Sequence, residues 1–261
     1  MDKLSQKEHN LAAKFLSVQN ELNMKLSPEW TTKGWAYPDA MMVEAVEAYN
    51  HLNWEWWRAV GRPVDWDQVK LEIVDVAHFL FSEIIAEGYS EDFTRTVAEE
   101  IRYEKDYEID PEPNLDRVKI SIKAFTRAIL IYENAKAQKA EKTEKGMALF
   151  SALDIFLAIV WNLGLTIPQF FTLFIGKVCL NQLRWKNGYK KGIYGAQDVS
   201  TPEMYIKTWN GEEDNVWLAN YAATLNPQSE TFKEELLAGL EAKYAEVYRD
   251  IWEIREFDDV V

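Results

Sequence analysis

Cysteine is almost missing. Cys179 stands alone among 261 residues, so no intramolecular disulfide can form and the fold must hold by packing. Its surroundings, "GKVCLNQL", read as helix without a His or Asp partner, which predicts a buried, inert thiol. Positive charge is also short. Twenty-nine Lys and Arg against 43 Asp and Glu leave a formal charge of −14. That excludes a general nucleic-acid binder and an anionic membrane surface as partners, and an anionic substrate must be met by local cations or by metal. Long apolar runs are missing too. The nearest, "LFSALDIFLAIVWNLGL", is interrupted by Asp154 and Asn162 and reads as a buried helix of a soluble protein. The N-terminal "MDKLSQKEHNLAAKFL" lacks the order of a signal peptide. A cytoplasmic chain is expected.

Glycine and proline are few, 11 and 8, and gather between periodic segments. Strand-like alternation is nearly absent. With 48% hydrophobic residues the chain can bury a sizeable core. Helices are predicted at roughly 5–26, 38–60, 66–87, 90–105, 114–140, 144–163, 168–186, 214–224 and 229–256. Asp65 should N-cap the third and Gly88 should stop it. The expected fold is all-α, an antiparallel helical bundle, and one catalytic domain over 1–261. Its motif-bearing core covers 1–90 and 165–225, with further helices at 91–164 and a C-terminal helix at 226–261. Residues 106–114, "DYEIDPEPN", read as an acidic linker, and 186–213 as a long loop.

What is there in abundance is acid, and some of it lies in unexpected company. In "VEAVEAYNHLNWEWW", Glu44 and Glu47 sit three apart beside Val43 and Val46, on one helical face. In "LEIVDVAHFLF", Glu72 and Asp75 repeat the spacing among Leu71, Ile73, Val74 and Val76. A short turn, "GRPVD", joins the two helices, so they should pack antiparallel and bring four carboxylates together. Such a group needs positive charge, and hard oxygen ligands select Mg²⁺ or Mn²⁺. Each pair alone is equally an ordinary exposed charge pattern. His78 follows Asp75 by three and reads either as an iron ligand, as in di-iron bundles, or as a satisfied core histidine.

Cations cluster once. "GKVCLNQLRWKNGYKKG" places Lys177, Asn181 and Arg184 on one helical stripe, with Asn187, Lys190 and Lys191 beyond, and "IKTWNGEEDN" adds Lys207. The stripe suits a polyphosphate or serves as a solvated face. Gln19 and Asn23, four apart in "VQNELN", either present a donor–acceptor edge to a nucleobase or are surface amides.

These stretches together resemble the dimeric, all-α dUTP pyrophosphatases, distant relatives of the MazG-type nucleoside triphosphate pyrophosphohydrolases. The resemblance runs through "LSVQNELN", "MVEAVEAYNHLNWEWW", "LEIVDVAHFLFS", "IGKVCLNQLRWKNGYKKG" and "IKTWNGEEDN". It implies that Glu44, Glu47, Glu72 and Asp75 hold Mg²⁺, or Mn²⁺ as a substitute. One of Glu44 and Glu47 would act on the attacking water, and dUTP or dUDP would yield dUMP, keeping uracil out of DNA. Lys177, Asn181, Arg184, Asn187, Lys190 and Lys207 would bind phosphates. Gln19 and Asn23 would read uracil, with Trp54, Trp57, His78 and Phe79 near base and sugar. A homodimer in the cytoplasm, the host's for a phage-encoded chain, is implied. Residues 195–205, "GAQDVSTPEMY", look like an insertion. The rival readings are a pyrophosphatase for dCTP or a modified pyrimidine nucleotide, a di-iron carboxylate bundle, and a non-catalytic interaction protein.

Overall fold

Every regular segment that the computed structural model describes is helical. It describes residues 6–57, 63–189, 194, 213–226, 229 and 231–247. The α-helices among them are α1 (Gln6–Leu26), α2 (Tyr37–Asn50), α3 (Trp66–Ala86), α4 (Ser90–Tyr103), α5 (Leu115–Ala137), α6 (Lys142–Asn162), α7 (Ile167–Lys186), α8 (Glu213–Ala222) and α9 (Phe232–Val247). The chain divides into two compact units, Met1–Phe174 and Ile175–Val261. No single described helix is long and apolar enough to cross a membrane.

In the first unit α2 packs along α3, α5 along α6, and α1 against α3 and α4. Phe15 of α1 is the hub of the core. Its ring lies 4.7 Å from Phe171, 5.4 Å from Phe174 and 5.5 Å from Phe81. Burying a Phe side chain contributes roughly 2–3 kcal/mol, so this cluster fastens α1 to α3 and the first turns of α7. In the second unit, Tyr194 stacks on Tyr244 of α9 at 4.9 Å. Cys179 is buried there, as expected of an inert thiol.

The two helices that carry the acids are antiparallel. At one end the Asp65 amide donates to the His51 carbonyl at 3.3 Å. At the other, Tyr37, which opens α2, lies 6.4 Å from Phe79. α3 starts at its predicted N-cap, where the Asp65 side chain accepts from the Gln68 amide. It stops at Gly88, whose φ of +76° is reached at no steric cost only by glycine. The bonds Tyr89 N–H to Ile84 O and Gly88 N–H to Ile85 O make this a Schellman end.

α2 ends at Asn50, ten residues before the predicted boundary at 60. The Asn53 backbone turns left-handed at φ +50°, a region asparagine tolerates, and its side chain donates to Pro63 O at 2.8 Å. Leu52 is fully buried at that point. Trp54, Trp56 and Trp57 therefore follow the helix rather than continue its stripe.

Candidate active site

From Leu71 to Ile84 every α3 residue is buried except Glu72, Asp75 and Phe79. Steps of three and four put these on one stripe, the only one through which the middle of α3 reaches water. Glu44 of α2 faces that stripe. Glu44, Glu72 and Asp75, all half-buried, each bring a carboxylate oxygen to within 4.8 Å of the others. Hard, anionic oxygens at that spacing fit a divalent cation of the Mg²⁺, Mn²⁺ or Ca²⁺ kind. The three acids thus form a group able to hold a metal ion.

Glu47, the remaining predicted member, lies one turn on, is exposed, and does not belong to that group. His78 does not belong to it either. His51 does approach it: its Nε2 lies 3.8 Å from Glu72 Oε1, an ion pair when the imidazole is protonated.

Behind the stripe lies a buried polar knot. His78 Nδ1 meets Gln19 Oε1 at 2.7 Å. Gln19 Nε2 donates to Asn23 Oδ1 at 3.0 Å and to Ser82 Oγ at 2.9 Å. Asn23 Nδ2 donates to Ser82 Oγ at 2.8 Å, and Ser82 Oγ donates to the His78 carbonyl at 2.6 Å. All four side chains are at least nine-tenths buried, so Gln19 and Asn23 are not surface amides. Beside the knot lies the buried side chain of Tyr37. Burial, then the Glu83 charge, push its pKa up to about 12, with Ser82 opposing.

The tryptophans gather past the end of α2. Trp54 lies 5.1 Å from Trp57, edge to face, and donates to Asn50 Oδ1. Trp54 is half-buried and Trp57 exposed, while Trp56, which the sequence did not single out, is 85% exposed.

In the second unit the cationic stripe has a different character. Lys177 is buried and Asn181 half-buried. Arg184 forks onto the fully buried Asp214, Nε to Oδ2 at 2.8 Å and Nη2 to Oδ1 at 2.9 Å. Tyr194 donates to the same Oδ2 at 2.9 Å. Burial and the Asp214 charge hold the Tyr194 phenol far above its ordinary pKa. Asn187, fully buried, returns its side-chain amide to the Leu183 carbonyl at 2.8 Å and closes the last turn of α7. Lys190 and Lys207, and the stretch 195–205, lie outside the described residues.

Sequence reasoning passed over His51, Ser82, Tyr194 and Asp214. Ser82 and Asp214 stand inside the quoted stretches "LEIVDVAHFLFS" and "IKTWNGEEDN", yet their types and spacing carry no signal of their own. No curated protein matches the chain. The family described as dUTPase matches it from Ala12 to Tyr189, more than half its length and every acid of the three-carboxylate group.

Proposed function

The chain belongs to the helical dUTPase family and is a dUTP diphosphatase, and from that premise we propose how its residues do the work. The observation that carries the proposal is the convergence of Glu44, Glu72 and Asp75 within 4.8 Å inside the matched segment. These three hold Mg²⁺, with Mn²⁺ as a substitute. When bound, the metal neutralises phosphate charge and acidifies a water molecule. Glu47, free of the three-carboxylate group, takes a proton from the attacking water as general base, typically worth about 10²–10⁴-fold. The water oxygen forms a new bond to phosphorus, and the phosphoanhydride bond breaks to release dUMP and pyrophosphate. From dUDP the second product is phosphate.

Gln19 and Asn23 read the base from the buried knot, with His78, Phe79, Trp54 and Trp57 around base and sugar. Lys177, Asn181, Arg184, Asn187, Lys190 and Lys207 serve the phosphates. Residues 1–261 act as one catalytic domain in a cytoplasmic enzyme. Exposed Val43 and Val46 on α2, and Ile120 and Ile131 on α5, favour a homodimer that covers apolar surface.

The deciding experiment is product release from dUTP, dUDP, dCTP, dTTP and UTP, with Mg²⁺ and with EDTA. Release from dUTP and dUDP, lost in EDTA and restored by Mg²⁺, is expected. Undiminished release in EDTA would remove the metal from the mechanism, and equal rates on dCTP would overturn the base assignment.

A further inference from the structure

The buried knot has only one consistent arrangement of protons. Ser82 Oγ donates to the His78 carbonyl one turn back, so its single proton is committed within α3. Toward α1 it shows lone pairs only. Both carboxamides must therefore turn their NH₂ groups to it, as Gln19 Nε2 at 2.9 Å and Asn23 Nδ2 at 2.8 Å do. An amide oxygen in either place would meet an oxygen with no proton between them, a costly arrangement among side chains this buried.

The rest follows by counting. Gln19 uses its second N–H on Asn23 Oδ1, and its oxygen faces His78 Nδ1, which must then carry the ring proton. Ser82 makes one donated and two accepted bonds. Asn23 retains one N–H and one oxygen lone pair, and Gln19 retains one lone pair. A donor beside acceptors is what the 4-oxo, N3–H edge of uracil requires. The 4-amino, N3 edge of cytosine presents the opposite order. A carboxamide free to flip end for end satisfies both edges equally well.

We propose that Ser82 is the specificity-positioning residue for the base: by accepting from both amides it fixes the sense of Asn23 and so selects a 4-oxo over a 4-amino pyrimidine. This rests on the reading that Asn23 contacts the base. It implies selectivity of a particular kind. Thymine shares the 4-oxo, N3–H edge, so Ser82 sorts dUTP from dCTP and contributes nothing to sorting dUTP from dTTP.

The test is kcat/KM for dUTP, dCTP and dTTP at saturating Mg²⁺ in the wild type, Ser82→Ala and Asn23→Ala, with melting temperature followed for each. Ser82→Ala should lower the dUTP-to-dCTP ratio about tenfold, the scale on which one hydrogen-bonding preference discriminates, and leave the dUTP-to-dTTP ratio unchanged. A loss shared equally by all three nucleotides would mark Ser82 as merely structural and overturn the proposal. Asn23→Ala separates the two levels. If it raises the KM for dUTP while Ser82→Ala leaves the ratios intact, only the role of Ser82 fails. If it leaves that KM unchanged, the base reading fails and the proposal with it.

Discussion

Glu44 and Glu47 are one turn apart on α2, yet only Glu44 reaches Glu72 and Asp75. On the proposed mechanism, that gives Glu44 the metal and Glu47 the proton. Glu72→Gln and Asp75→Asn should abolish both Mg²⁺ binding and turnover. Glu47→Gln should bind Mg²⁺ almost as the wild type does while losing at least about 100-fold in kcat. Titration calorimetry for Mg²⁺ beside pyrophosphate release checks this, and lost Mg²⁺ affinity in Glu47→Gln would return that residue to the metal site. Arg184 is a second case of one residue with two attachments. Its fork onto buried Asp214 means that Arg184→Ala strands a carboxylate whose one other donor among the described residues is Tyr194. Such a loss costs about 3–5 kcal/mol, so chemical denaturation should register it apart from any loss of dUTP affinity. An unchanged denaturation midpoint would show that the fork contributes nothing to the fold. The acids were legible in the sequence because periodicity sets a helix's neighbours at three and four residues. The fork was not, since its partners are separated by 30 residues and spacing is silent at that range.

At the scale of the element, local chemistry predicted the ends of α3 and misjudged the end of α2. Asp65 and Gly88 are recognised types in recognised places. α2 stops because of a tertiary demand: buried Leu52 and the Asn53–Pro63 bond outweigh the helix-like pattern of the tryptophans. The seam between α3 and α5 shows the same limit. Glu83, buried in the last turn of α3, accepts from the Tyr132 hydroxyl and from Lys136 Nζ at 2.5 Å, while Lys136 and Lys145 also bridge Glu87. Neither lysine's sequence surroundings mark it as a core partner. Lys136→Met should cost about 3 kcal/mol because it leaves a desolvated carboxylate behind. The double variant with Glu83→Gln should recover much of that loss in a urea-denaturation cycle. Additive losses would show the pair to be uncoupled.

At the scale of the whole molecule, the acidic excess reaches into the interior. Glu104, buried beyond the end of α4, accepts from the indole of Trp161 at 3.0 Å and from the first amide of α7, Ile167, at 2.7 Å. Burial raises its pKa to about 7, the two donors working against that rise and the Glu100 charge adding to it. The folded pKa thus exceeds the unfolded value. Between the ordinary glutamate range and about 7 the unfolded chain has released a proton that the native chain retains, so stability falls as pH rises through that window. Glu100 and Asp154, also raised by burial, tilt stability the same way, and Glu87, where Lys145 and Lys136 together outweigh the effect of burial and lower the pKa, tilts it the other way. Comparison with Glu104→Gln cancels these shared contributions. The glutamine oxygen accepts from both Trp161 and Ile167 without acquiring charge. The urea midpoints of variant and wild type should therefore coincide near pH 5, with the variant more stable at pH 8 and the gap opening across the window. A gap of constant size at both pH values would show that Glu104 does not titrate there, and that its two donors hold it charged throughout.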